Sequence, residues 1–423
     1  MRAQTGVNAG NKQHRKSETL TKGGPEVKAT FIIILLLTIW LYLDFRLGAS
    51  KQARKKNRAS QQPSTGSLSL FTSGEELIEE FFHDIEGARH HVHIMFYLVK
   101  KDRISYRFLK LLKKKAEAGI DVRLMIDWSG SLLANKSILA DLKKSGVKVA
   151  FCNKPALPFL FYTIQARNHR KIAVIDGAIG YLGGFNIGKE YMDLDPKLSP
   201  WRDYHIRITG QAVGGLQDVF FTDWQEASGE KVQYSASFTK PGLKGEHVIR
   251  LMPTDPYYLE DELINLLKQA NHELIIGTPY FIPTRPLMDE LKSALQRGVN
   301  MKILVPDNPD HFLVKEAAYP YFRELIPLGA QVHQFQNGFF HGKYILVDDR
   351  VLDIGTANFD KRSLLLNNEI NCYIYDRTCI LQFKEEILED FRNSLPLTME
   401  ALQSAGFWSR CKEHLGQAVS VFL

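Results

Sequence analysis

Two short stretches of the chain carry the same residues at the same spacing. His169, Lys171 and Asp176 stand in NHRKIAVID, and His341, Lys343 and Asp348 stand in FHGKYILVD, so both read His-x-Lys-x-x-x-x-Asp. Each is followed by a small-residue turn ending in asparagine: Gly183, Gly184 and Asn186 in the first copy, Gly355, Thr356 and Asn358 in the second. These residue types suit chemistry at a phosphodiester, whose negative charge repels nucleophiles. Lysine offers a compact cation to the phosphate oxygens, and an asparagine amide can donate hydrogen bonds to them. Histidine titrates near neutral pH, so one ring can attack phosphorus while another, protonated, releases the leaving oxygen. A covalent two-step displacement needs two such rings, and each motif supplies one. One site between two facing halves follows. An isolated histidine beside an apolar run such as IAVI is ordinarily structural; the matched recurrence of His, Lys, Asp and Asn outweighs that reading.

The elements around the motifs repeat too. The first half runs through a helix (GEELIEEFFHDIEGA), a strand (HVHIMFYLV), a helix (SYRFLKLLKKKAEAG) and a strand (DVRLMID). The second half follows the same order with YLEDELINLLKQAN, ELIIGTPYFI, LMDELKSALQRG and NMKILV. Strands alternating with helices of this length predict βαβ units and a largely parallel sheet. The motif runs KIAVID and KYILVD read as buried strands. The expected fold class is therefore α/β, in two similar lobes. Residues 68–242 form the first lobe and 243–423 the second, with the boundary at KPGLKGE near 240–246.

Charge is unevenly distributed. The net charge is +7, yet residues 1–28 carry six Lys/Arg against two acids and residues 44–58 carry six against Asp44, which leaves −2 for residues 59–423. A catalytic body without a basic footprint argues against nucleic acid as a partner. Between the basic stretches lies ATFIIILLLTIWLYL. With extension to Leu47 it gives a single-pass membrane anchor over 29–47, after a basic tail (1–28) and before a basic, polar linker (48–67). Both flanks are basic, which leaves either orientation open; the denser cluster, Lys51 to Arg58, follows the anchor and favours a cytoplasmic catalytic body. Each basic residue near an anionic bilayer adds about 1 kcal/mol of attraction. The four cysteines show no metal-ligand spacing, and neither a Walker loop nor HExxH occurs, so no cofactor is expected.

Both motifs resemble the HKD motifs of the phospholipase D superfamily. The stretches RNHRKIAVIDGAIGYLGGFNIGKEY, PWRDYHIRITG and IGTANFDKRSLLLNNEINCYIYD resemble its bacterial cardiolipin synthase branch. The resemblance runs from about residue 68 to the C-terminus and implies a pseudo-twofold fold. It implies that His169 is the nucleophile and becomes phosphorylated, with His341 as general acid and then base. Lys171, Lys343, Asn186 and Asn358 match phosphate-holding positions. Asp203 in WRDYH and Glu369 in NNEIN match carboxylates that orient a catalytic ring by holding its second nitrogen. Asp176 and Asp348 are expected to brace their turns. Two lysines and a protonated histidine supply the positive charge, so no metal is required. Thr356 departs from the family pattern, standing where serine is usual.

Two aromatic stretches, PALPFLFYTI (155–164) and FQNGFF (335–340), precede the motifs and read equally as lipid contacts or as core. The expectation is a membrane-anchored phosphatidyltransferase acting on phosphatidylglycerol and other anionic phospholipids, releasing glycerol and making cardiolipin. A phospholipase D hydrolase, a nuclease and a non-enzymatic membrane scaffold are the alternatives. Two intact sets of His, Lys and Asn speak against the scaffold, and the near-neutral body and the anchor against the nuclease.

Overall fold

The computed structural model describes residues 25–54, 61–132, 136–232, 238, 244–404 and 406–423. Its centre is one sheet of fifteen strands. Strands Ser64–Phe71 and His247–Thr254 pair antiparallel at the middle, with Gly66 opposite His247. Outward from Ser64–Phe71 come His205–Gly210, Ile179–Gly183, Ile172–Ile175, His91–Phe96, Asp121–Asp127 and Lys148–Cys152. Outward from His247–Thr254 come, in equivalent order, Glu369–Ile374, Val351–Gly355, Tyr344–Val347, Glu273–Gly277, Asn300–Pro306 and Gln331–Phe335, with Ser394–Pro396 added at the edge. The two lists match element for element, so the repeat in sequence is a pseudo-twofold repeat in space. The lobe boundary expected at 240–246 falls largely on residues outside those described.

The sheet is mixed rather than largely parallel. Parallel pairing occurs where a helix carries the chain over, as between His91–Phe96 and Asp121–Asp127 through Arg103–Glu117. Each motif strand instead runs straight into the next strand through a tight turn and pairs with it antiparallel. The turns explain why. Asp176 and Gly177 have φ of 52° and 60°, and Asp348 and Asp349 have 52° and 51°. Two successive left-handed residues form the centre of each turn, closed by the Ala178 N–H on the Ile175 carbonyl and the Arg350 N–H on the Val347 carbonyl, and their twist suits an antiparallel pair.

Helices cover both faces. Ala212–Ser228 and Arg377–Arg392 share one face, and a continuous core beneath them joins Ile172, Val174, Phe220 and Trp224 to Leu346, Ile354, Phe383 and Ile387. On the other face each lobe has its own core, around Phe81, Phe108 and Leu124 in the first and Leu291, Ile303 and Phe322 in the second. This shared core buries apolar surface from both lobes together and so helps hold them in register.

The N-terminal helix spans Pro25–Arg54. The segment Glu26–Ala53 is long and apolar enough to cross a membrane, and most of its side chains project away from the body. The expected linker (48–67) is shorter than the sequence suggests. Residues 48–54 continue the helix, because Gly48 packs against the Tyr162 side chain and Ala49 joins Tyr162 and Leu366 in a small core. Residues 64–67 already belong to the first strand, and 55–60 lie outside the described residues.

Candidate active site

Each motif histidine sits just before its strand and is fixed by the opposite lobe. The His169 backbone N–H donates to the Asn368 carbonyl at 2.9 Å, and the His341 N–H to the Arg202 carbonyl at 2.7 Å. Asn368 and Arg202 each precede a carboxylate. Glu369 accepts from His169 Nδ1, with both oxygens at 3.0 Å. Asp203 Oδ2 lies 2.5 Å from His341 Nδ1. A carboxylate on Nδ1 holds the proton there, leaving Nε2 as the reactive nitrogen. The partners stand 200 and 138 residues apart in sequence, so neither lobe can set its own ring.

The carboxylates are held as anions. Glu369 is fully buried and also accepts from Thr356 Oγ1 (2.6 Å) and Asn367 Nδ2 (3.2 Å). Burial pushes its pKa up, but His169 and Lys171 outweigh that and hold it below the usual range. For Asp203 burial is likewise outweighed, by Lys343 and then His341, and Oδ1 accepts from the Tyr204 N–H at 2.8 Å.

Lys171 and Lys343 are buried, and each donates Nζ to the carbonyl of its own histidine, at 2.9 Å for Lys171. Burial of the ammonium lowers Lys171 to about 7, against the opposing pull of Glu369, and lowers Lys343 to about 8. Both rings are shifted down as well. His341 falls to about 4 through burial and the nearby Lys343, and His169 falls through burial despite Glu369. Lys343 Nζ stands 2.8 Å from His341 Nδ1. That nitrogen cannot donate to Asp203 and accept from Lys343 at once; with Asp203 ionised, the bond to the carboxylate prevails. Burial thus shifts both rings toward the neutral form without substrate, and an anionic phosphodiester between them would raise both.

Asn186 donates Nδ2 to Tyr191 Oη at 2.9 Å, which leaves its second amide hydrogen free of that bond. Asn358 is anchored through its backbone N–H to Ser363 Oγ at 3.1 Å. Both Oδ1 atoms are buried without a partner among the described residues. Asp176 and Asp348 lie away from the rings. Each accepts from three consecutive backbone N–H groups, those of Arg89, His90 and His91 for Asp176 and of Asn271, His272 and Glu273 for Asp348.

Several contributors lie outside the sequence reading. Arg170 places Nη1 at 2.6 Å from Asp223 and donates Nε to the Glu369 carbonyl at 3.0 Å, fastening the first motif to the opposite strand. Its counterpart is Gly342, where a Cβ would come within 2.7 Å of the Phe340 ring. Tyr97 lies edge-on to His169, Trp201 tilts over His341, and Tyr280 sits edge-on to His341 with its hydroxyl on Asp310. The FNIGKEY and WRDYH segments already carry Tyr191 and Trp201; nothing local marks Tyr97 or Tyr280. Of the aromatic stretches, Phe339 and Phe340 are core. Phe161 packs on Phe45 of the N-terminal helix at 6.2 Å between centroids, while Leu157 is exposed.

Two histidines from two lobes, each held by a carboxylate of the other, with two buried lysines beside them, make one duplicated site. Residues 81–197 and 263–392 match the family model described as cardiolipin synthase, PLD-like domain, and the chain belongs to that family. It is 38% identical over 397 residues to the minor cardiolipin synthase ClsB of Bacillus subtilis, covering 93% of this chain and 99% of that protein. It is 36% identical over 373 residues to the cardiolipin synthase of Oceanobacillus iheyensis, covering 87% and 78%. Among solved structures, phosphatidylserine synthase of Haemophilus influenzae shares the fold at a TM-score of 0.67 and 17% identity, covering 89% of this chain and 100% of that one. The protein is a phospholipase D-type phosphatidyltransferase of the cardiolipin synthase kind.

Proposed function

We propose that the protein transfers a phosphatidyl group from one phosphatidylglycerol to another, and that the N-terminal helix anchors it in the cell membrane with its body in the cytoplasm. The observation that carries the reading is the crossed pairing of His169 with Glu369 and His341 with Asp203. It gives two rings with Nδ1 occupied and Nε2 free, which an in-line displacement at one phosphorus requires. His169 Nε2 attacks the phosphorus and forms a P–N bond as the P–O bond to glycerol breaks. His341, charged in the substrate complex, gives its Nε2 proton to the departing glycerol oxygen. The headgroup hydroxyl of a second phosphatidylglycerol then returns a proton to His341 and attacks. The P–N bond breaks, giving cardiolipin and a free His169. Lys171, Lys343, Asn186 and Asn358 hold the phosphate oxygens, and Glu369 and Asp203 keep the rings aimed. The charge comes from the side chains alone in this scheme, so it calls for no metal. The nucleophile assignment follows the family resemblance.

Product analysis tests the reading. Phosphatidylglycerol incubated with enzyme in detergent should yield cardiolipin and glycerol in equal amounts, and His169→Ala should yield neither. Phosphatidic acid without cardiolipin would show that water, not a second lipid, is the acceptor.

A further inference from the structure

The C-terminal helix, Phe407–Ala418, is built inside out for a soluble surface. The side it turns to the body is polar. Glu413 pairs with both Arg323 guanidinium nitrogens at 2.6 and 2.9 Å, Gln417 donates to the Ala317 carbonyl at 2.6 Å, and just beyond the helix Ser420 accepts from Lys361 at 2.8 Å. Gly416 lets the helix approach closely, since a Cβ there would lie 3.0 Å from that of Ala317. The outer side carries an apolar stripe beside the exposed His414. Trp408, Cys411 and Leu415 recur at helical spacing, Phe407 stands beside them, and Phe422 continues the line past the helix end; all are exposed, Trp408 at 78%. Arg410 and Lys412 stand one residue either side of Cys411. At 3.6 residues per turn they fall on opposite flanks of the stripe; Arg410 can reach lipid phosphates there while its stem stays apolar, and Lys412 pairs with Glu316 at 3.4 Å.

The stripe joins the membrane helix at one end, and midway its flank meets the segment that leads to the active site. Phe422 packs on Phe45 of the N-terminal helix at 5.4 Å and on Phe161 at 5.8 Å. Midway along the helix, Lys412 lies 5.8 Å over the exposed ring of Phe312 and 3.4 Å from Glu316 Oε1. Phe312 is two residues from Asp310, which holds Tyr280 beside His341.

We propose that this helix is a second membrane contact. It lies in the interface of an anionic bilayer with Trp408, Cys411, Leu415 and Phe422 among the acyl chains, and it turns the active-site entrance toward the lipid. An apolar stripe edged by cations matches an anionic lipid surface. Continuity with Phe45 puts the stripe at the level where the anchor leaves the bilayer. The proposal rests on the anchor reading above.

Cys411 is exposed while Cys152, Cys372 and Cys379 are buried, so a thiol-reactive environment-sensitive fluorophore reports on the outer face of the helix in the full chain. The protein would be labelled, reconstituted in phosphatidylglycerol/phosphatidylcholine vesicles and titrated with lipids bearing nitroxides near the headgroup. A Cys411→Ser control checks labelling specificity. The expected result is blue-shifted emission, with roughly half or more lost to the shallow nitroxide. Trp408→Glu with Leu415→Glu should abolish that quenching while the protein still floats with the vesicles. Water-like emission, open to iodide, in protein that floats would overturn the proposal and leave the anchor standing. Shielding from iodide without lipid quenching would overturn it in favour of a protein partner, such as a second copy. Failure to float at all would overturn the anchor reading and this one with it.

Discussion

The two half-sites share a frame and differ in what surrounds it. In both, the histidine N–H is tied to the residue before the opposite lobe's carboxylate, the lysine is tied to its own histidine's carbonyl, and the motif aspartate caps three N–H groups at a left-handed turn. The differences concern the carboxylate and its neighbours. His169 faces the longer Glu369, whose lone pairs are shared with Thr356 and Asn367, and Arg170 clamps the motif across the lobes. His341 faces the shorter Asp203. There Gly184 takes the place of Thr356 and its missing Cβ makes room: one built at Gly184 would come within 2.0 Å of Asp203 Oδ1. The repeat keeps what positions a ring and varies what tunes it, which suits the different tasks proposed for the two rings.

Removing a ring should separate the halves most sharply. His169→Ala should abolish turnover and leave no covalent adduct. His341→Ala should slow turnover by about 10²–10⁴, the range for a lost general acid, while a phosphatidyl adduct still forms slowly; rapid-quench mass spectrometry reads both. Equal loss of adduct in the two variants would erase the proposed division of labour.

Neutralising a carboxylate should come next. Glu369→Gln and Asp203→Asn should each lower kcat by roughly 10²–10⁴ through a misaimed ring. Gly184→Ala should behave like Asp203→Asn, because the new methyl would displace the carboxylate. Thr356→Ala removes one bond to a charged acceptor and should cost about 1.5–3 kcal/mol, roughly ten- to 150-fold in kcat/KM. If Gly184→Ala proved the milder of the two, the packing difference drawn between the half-sites would be wrong.

The lysines predict the shape of the pH profile. Lys171, lowered to about 7, and Lys343, lowered to about 8, lose their charge as pH rises through those values. The phosphate then loses its cations, so kcat/KM should fall on the alkaline side of neutrality. It should stay high toward lower pH until His169, which attacks as the neutral ring and whose pKa burial lowers, begins to charge. Lys171→Arg should move the alkaline limb upward toward the Lys343 value, whatever happens to the absolute rate; an unmoved limb would remove Lys171 from the assignment.

The aspartates should show the smallest contrast. Asp176→Ala and Asp348→Ala each release three backbone N–H groups and should each cost about 2 kcal/mol of stability, seen as a lower Tm, with kcat largely retained. A large kcat loss from either would bring that residue back to the substrate.

The frame was legible in the sequence because it occurs twice: spacing gave His, Lys, Asp and Asn together, and amphipathic runs gave the helices and strands between them. Strand direction was less legible. The Asp176-Gly177 turn signal favours an antiparallel hairpin, while helix–strand alternation alone suggests parallel pairing. The crossing of the carboxylates left no local trace, since His169 and Glu369 are neighbours only after both lobes fold. Phe161 was undecidable between lipid and core because its partner, Phe45, belongs to a helix more than a hundred residues earlier. Arg170 and Gly342 look interchangeable between His and Lys, and only the position of Asp223 gives the arginine its task.

The most direct test of the composite site is to map the covalent intermediate. The His341→Ala variant would be incubated with phosphatidylglycerol, quenched in alkali, where phosphohistidine survives, and digested for mass spectrometry. A phosphatidyl group on His169, lost again in a variant that also carries Glu369→Gln, is the expected result. An adduct on any other residue, or one on His169 indifferent to Glu369, would contradict the account that the opposite lobe sets the nucleophile.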